Sequence, residues 1–445
     1  MGRKMDDDSR DKGFCESFWK DYLPDFSPLI SGSSGYKAVI FARSVHSFIT
    51  RGSIFLGLVL YLNAQGSSMS SLGLLTTVYF APQLLFNALV GRLSDALADR
   101  RFFVSLAFVG SGLLFFLYPA AGWVGFALAV RSLQGVLESA IRPLTQAVAS
   151  GEAGPDRRAG HVGIFKVVVF GGSSLGPVLV GSLIQFWGFD PVFYLSGVVM
   201  IFAGLLLWGA LPRRPSFEAR GSSSTGLSFS WPEWRRHLLH SSVFSPDRGE
   251  GIPRPFSPSK WKKLSVSLFL LLTFFRRFSF GIINTFLPVY LVSTVGLAEG
   301  TVGLFEGVRR LMIVLAIVAS GNLADSWGRK PLLVIASFSF LGPLVYALFP
   351  NMTGVWLGTI VLGITIGAFN PTCTTYVADG ATPEERGTFL GQLAGVTAFS
   401  NVLGPVLGGF IADWTGISSA FLVGAVLIGV TVPLSALLRE SRPGG

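Results

Sequence analysis

Apolar runs, each close to the roughly 20 residues that a helix needs to cross hydrocarbon, alternate along the chain with short polar breaks. Twelve can be marked, at about 38–62, 70–90, 102–119, 122–148, 160–184, 191–211, 264–292, 301–320, 331–349, 353–377, 388–411 and 417–438. One break is much longer than the others. Residues 212–263 are rich in Ser, Pro and Arg and divide the runs into two groups of six. The pattern predicts an all-α membrane protein with twelve transmembrane helices in two six-helix bundles. Its parts are a tail at 1–37, a bundle at 38–211, a linker at 212–263, a second bundle at 264–438 and a tail at 439–445.

Composition agrees. Half of the 445 residues are hydrophobic and 13% are charged, about half the charged share of a soluble protein. A soluble chain of this length would lack polar residues to cover its surface, which excludes a cytosolic enzyme. The net charge of +10 could suggest nucleic acid, but its placement argues otherwise. Nine of the 35 Lys and Arg lie inside the runs; the other 26 fall in the tails, the linker and the loops leading from even to odd runs. The opposite loops have none, and they contain Asp190, Glu299 and Asp413. By the positive-inside rule both tails and the linker are expected in the cytoplasm. The first residues, MGRKMDDDSR, lack the basic–apolar–small order of a signal peptide. Cys15 and Cys373 make no disulfide framework. In the linker, WPEWRRHLLH (231–240) reads either as a short interfacial helix or as a plain tether.

The two groups repeat each other at an offset of 228 to 230 residues. GRLSD (91–95) aligns with GNLAD (321–325), PDRRAGHVG (155–163) with PEERGTFLG (383–391), LGPVLVG (175–181) with LGPVLGG (403–409), and Pro143 with Pro371. An internal parallel repeat in a membrane protein marks a secondary transporter built from two related bundles, with its solute site between them near mid-membrane.

The loop GNLADSWGRKP (321–331) carries the most specific pattern, G-x-L-A-D-x-x-G-R-K, in Gly321, Leu323, Ala324, Asp325, Gly328, Arg329 and Lys330. Its first copy, GRLSDALADRR (91–101), keeps Gly91, Leu93, Asp95 and Arg100, with Ser94, Ala98 and Asp99 departing from it. On these motifs the chain resembles the major facilitator superfamily over about 38–438. The resemblance implies that the two loops form a cytoplasmic latch that gates the carrier. The bland alternative is ordinary positive-inside charge in a tight turn. Helix 4 carries RSLQG, similar to the family's R-x-x-Q-G. Along that helix Arg131, Gln134, Glu138, Arg142 and Gln146 are spaced 3, 4, 4 and 4 apart, one narrow polar stripe. A charge facing lipid costs at least about 2.5 kcal/mol, so the stripe must face protein or water. GGSSLGPVLVG (171–181) and NVLGPVLGGF (401–410) resemble the family's glycine–proline exporter motif. Gly176, Pro177, Gly404, Pro405 and Gly408 are then expected to pack helices closely.

In the family, helices 1, 4, 7 and 10 line the cavity. That implies a solute site from Arg51, Arg131, Gln134, Arg142, Arg276, Arg277, Asn284, Asn370 and Thr374. The runs hold nine basic residues and only two acids, Glu138 and Glu306. Arginine suits carboxylate and phosphate groups, which points to an anionic solute, whereas the resemblance to drug exporters points to cationic or neutral amphiphiles. Glu138, His46 and Glu306 are the candidate proton carriers. The structural alternative pairs Glu138 with Arg142, and Glu306 with Arg309 and Arg310, each on its own helix.

No Walker loop and no metal-ligand cluster is recognisable, and no cofactor is expected. The expected function is secondary active transport of a small solute by alternating access, as proton-coupled efflux of a drug or metabolite, in a plasma or inner membrane, by a monomer whose partners are the solute, protons and the bilayer and not nucleic acid. The alternatives are uptake or exchange of an organic anion, and a transporter-like sensor without turnover.

Overall fold

The computed structural model describes residues 32–96, 100–151, 158–211, 260–380 and 383–438. The tails, most of the linker with its 231–240 segment, and Ala98 lie outside the described residues. Within them the chain is helical with no strand. Lipid leaves no other partner for backbone groups, so a spanning segment must close its hydrogen bonds on itself.

The first half contains α1 (Ser34–Ala64), α2 (Met69–Ala96), α3 (Arg100–Phe115), α4 (Val124–Gly151), α5 (Arg158–Trp187) and α6 (Phe189–Ala210). The second contains α7 (Lys260–Ser293), α8 (Glu299–Trp327), α9 (Arg329–Leu348), α10 (Met352–Gly380), α11 (Pro383–Thr415) and α12 (Ile417–Ala436). Among the described residues ten of these are long and apolar enough to cross a membrane. The other two are α3, which is shorter, and α8, which carries Glu306, Arg309 and Arg310 mid-helix. Several helices outrun their apolar stretches, because polar residues extend them past the hydrocarbon. Thus α7 begins at Lys260, inside the stretch expected to be linker. Within α1, Thr50–Leu58 winds as a π-helix, a rare form that often marks a functional site.

Packing repeats between the halves. The pairs α1–α5, α2–α4 and α3–α6 of the first half recur as α7–α11, α8–α10 and α9–α12 in the second. Two long seams join the halves, α5 against α8 and α2 against α11. Turn glycines repeat as well: Gly66 and Gly296 both have φ +79°, and Gly188 and Gly416 have φ +80° and +91°. Gly328, between α8 and α9, has φ +95°, a conformation glycine adopts without steric cost. The aligned position in the first half is Ala98, so the departure seen in the sequence falls where glycine matters most.

Helix ends joined by the linker define one side of the molecule, and the turns near 65, 188, 296 and 416 define the far side. Trp123, Trp187 and Trp414 stand exposed at the far ends, as in an interfacial aromatic belt.

Candidate functional site

The glycine–proline segments make the same two contacts in each half. A Cβ at Gly176 would stand 2.2 Å from the Phe48 carbonyl oxygen of α1, and one at Gly404 would stand 2.3 Å from the Phe278 oxygen of α7. The neighbouring prolines face the opposite half. A Cβ at Gly303 of α8 would lie 2.2 Å from the Pro177 oxygen, and one at Gly73 of α2 would lie 2.2 Å from the Pro405 oxygen. Gly408 packs against Ile282 of α7. Such approaches exist only without a side chain. Gly73 and Gly303 were not singled out from the sequence, although the 230-residue offset aligns them.

Further bonds close the α2–α11 seam on the far side. Thr77 Oγ1 donates to the Val402 oxygen at 2.6 Å. The Asp413 carboxylate accepts from the Met69 and Ser70 amides at 2.7 and 2.9 Å, capping the N-terminus of α2. By helical spacing, positions 391 and 395 share a face of α11 with 402 and 409, which contact α2. Cβ atoms at Gly391 and Gly395, in contrast, would meet nothing within 4 Å. The two helices therefore part towards the linker side.

In the opening lies a cavity of about 360 Å³, lined by Phe80, Gln83 and Leu84 of α2, Arg142 of α4, Arg277 of α7, Asn370, Cys373 and Thr374 of α10, and residues of α11 from Leu390 to Asn401. Four of the expected solute-binding residues meet here: Arg142, Arg277, Asn370 and Thr374. Arg277 donates to Asn370 Oδ1 at 2.9 Å. Arg142 donates its Nε–H to Glu138 Oε1 at 2.7 Å, yet its side chain is 43% exposed. The α2 and α11 lining escaped the sequence reading, which followed helices 1, 4, 7 and 10. A groove of about 580 Å³ between α1, α5 and α6 carries no charged residue among those lining it.

Behind Arg142 the Glu138 carboxylate is buried. Its Oε2 lies 2.8 Å from His46 Nε2, and His46 Nδ1 lies 2.7 Å from Arg43. A guanidinium only donates, so Nδ1 accepts and the imidazole proton sits on Nε2, aimed at Glu138. The result is a row, Arg43–His46–Glu138–Arg142, with its two middle members buried and its last member at the cavity wall.

The remaining expected residues are placed elsewhere. Gln134 Oε1 accepts from Arg131 at 2.9 Å and from Tyr118 OH at 2.7 Å, and the Arg131 guanidinium lies 3.7 Å from the centre of the Tyr79 ring. Both are buried in an aromatic box away from the cavity lining. Arg51, in the π-helical stretch, lies over Phe55 at 4.5 Å. Arg276 is fully buried and donates to the backbone oxygens of Ala336 and Thr365 and to Ser339 Oγ. Asn284 Oδ1 accepts from Arg309 at 2.6 Å. Arg309 also donates to both Glu306 oxygens, at 2.9 and 2.7 Å, and Arg310 stands 3.5 Å from Glu306. Of the expected latch, Arg329 is buried at the start of α9 beside Lys330. The side chains of Gly91, Asp95, Arg100, Gly321 and Asp325 lie outside the described residues. Among the described residues, no three His, Cys, Asp or Glu side chains stand together to hold a metal ion.

Two repeated helical halves around a shared polar cavity define a membrane solute carrier. The sequence profile of the Major Facilitator Superfamily matches residues 41–270 and again 269–445. The chain belongs to that superfamily and is a multi-pass membrane transporter, not an enzyme. It is 23% identical to the multidrug resistance protein MdtG of Yersinia enterocolitica, over 89% of this chain and 92% of the relative. A shorter match, 34% identical over 37% of this chain and 40% of the relative, is to the multi-drug resistance efflux pump PmrA homolog of Lactococcus lactis subsp. lactis (strain IL1403). The fold matches a bacterial homolog to the human lysosomal transporter Spinster, in inward-facing and unoccupied conformation, with TM-score 0.67 and 17% identity over 91% of this chain and 94% of that one.

Proposed function

We propose that this transporter is a proton-coupled exporter of a small drug or metabolite, working by alternating access in a plasma or inner membrane with the linker and tails in the cytoplasm. The observation that carries the reading is the cavity between the halves. It lies where α2 and α11 part towards the linker side, while glycine contacts and Asp413 close the far side. A solute would enter from the cytoplasm and leave when the seams exchange roles. The multidrug relatives support export as the direction. The row from Arg43 to Arg142 supplies the proton site, with Glu138 as carrier and His46, bonded to it through Nε2, as its gate.

The test is transport by the purified chain in proteoliposomes with an imposed pH gradient, using ethidium and 8-anilinonaphthalene-1-sulfonate as cargo. The gradient should drive at least one of the two dyes. Glu138→Gln should abolish gradient-driven movement and spare downhill exchange. Undiminished pumping by that variant removes Glu138 as the carrier. The second reading, uptake or exchange of an organic anion, is favoured by the two arginines in the cavity wall; in the same assay it requires inward, not outward, accumulation of the sulfonate.

A further inference from the structure

We infer that the cargo is an amphiphilic organic anion, whose acidic group is held between Arg142 of one half and Arg277 of the other. The inference rests on the cavity being the transport site.

The described lining contains two guanidinium groups, amides and hydroxyls, and no carboxylate. Glu138 does not supply one. It is buried behind Arg142, with both its oxygens bonded, to His46 and to Arg142. A cationic cargo would therefore meet two like charges and no accessible counter-charge. The two arginines are differently held, and both line the cavity. Arg142 bonds Glu138 through Nε, and its side chain is 43% exposed. Arg277 spends one N–H on the neutral Asn370, and its Nε is buried with no hydrogen-bond partner among the described residues. Among the described residues no acid pairs with Arg277 or with Asn370, so there its positive charge stands uncompensated in a low-dielectric wall. Such a charge is costly unless an anion meets it, and the guanidinium fork suits the oxygens of a carboxylate, sulfonate or phosphate. The rest of the wall, Phe80, Leu84, Leu390 and Leu393, suits an apolar body.

The arrangement also explains how loading could license the switch. The cavity can close on the linker side only if the halves approach, and that brings Arg142 towards Arg277. Empty, the closure meets like-charge repulsion. With an oxyanion between them, it gains two charge-assisted bonds.

The experiment compares three probes with one bicyclic body, 2-naphthoate, 2-naphthylmethanol and 2-naphthylmethylammonium, by isothermal titration calorimetry on the purified full chain. Naphthoate should bind at least about tenfold tighter than either analogue, the scale of one charge-assisted bond. Arg277→Gln should remove that advantage, and an unfolding midpoint equal to that of the parent chain shows that the variant is folded. Arg142→Lys, which keeps the charge beside Glu138, should lose a smaller part of it. Tighter binding of the ammonium, equal binding of naphthoate by Arg277→Gln, or binding of none of the three overturns the inference. The export reading fails separately: naphthoate that binds through both arginines but never crosses proteoliposomes refutes transport and keeps the clamp, whereas gradient-driven ethidium export without naphthoate binding does the reverse.

Discussion

Arg276 and Arg277 are neighbours in sequence with opposite employment. The first is anchored to two backbone oxygens and a serine, the second faces the cavity. The sequence marks both as expensive membrane charges. It cannot separate them, because the partners of Arg276 come from α9 and α10, between 60 and 89 positions away in the chain. Arg276→Leu removes three buried charge-assisted hydrogen bonds, so it should destabilise the protein by about 2–4 kcal/mol in chemical unfolding. In protein that remains folded, naphthoate affinity should be unchanged. The polar stripe on α4 was legible as a stripe. What divides it, with Arg131 and Gln134 boxed by Tyr79 and Tyr118 and Arg142 left open, is set by aromatic residues on α2 and in the turn after α3, which no spacing reveals. His46 and Glu138 act as one hydrogen-bonded unit. His46→Leu should therefore lose gradient-driven transport as Glu138→Gln does, and the double variant should be no worse than either alone.

At the scale of helices, the glycine–proline segments were visible because they repeat, and close packing was the expectation attached to them. Their partners in the opposite half were not visible, since period and composition say which helix packs tightly but not against what. The seams are related but not identical. Asp413 caps the start of α2 with a charge; the aligned residue on the other seam, Gln185, places its Oε1 at the start of α8, 2.3 Å from where a Gly300 Cβ would stand. Asp413→Ala removes a carboxylate from a helix N-terminus, about 1 kcal/mol or roughly fivefold in the closed far side. Gly73→Ala or Gly303→Ala forces a methyl group against a carbonyl and should open the far side further. Spin-label distances across the far ends should lengthen in all three variants, more in the glycine pair. Unchanged distances would mean that these seams do not control the far gate.

The whole molecule was the most legible level. Apolar runs, one-sided basic loops and a repeat at nearly constant offset are global features that survive errors at single positions, and they imply two halves around a shared site. The lining of that site was read less well. Parting of α2 from α11 exposes residues of both helices to the cavity, and that depends on which way the two halves are tilted, a property of the assembled state and not of any segment. That the described residues of the wall include no carboxylate has a consequence for voltage. A carrier loaded with a monovalent anion moves net charge at each cycle. Leaving a compartment that is negative inside, that charge gains about 2.3 kcal/mol per 100 mV, and a proton entering in exchange adds its own share with the same electrical sign. Outward transport of naphthoate should therefore generate a current in supported membranes and slow when a potassium–valinomycin clamp holds the potential at zero. With no acid among the described residues of the cavity wall, such a carrier would respond to electrical potential as much as to acidity.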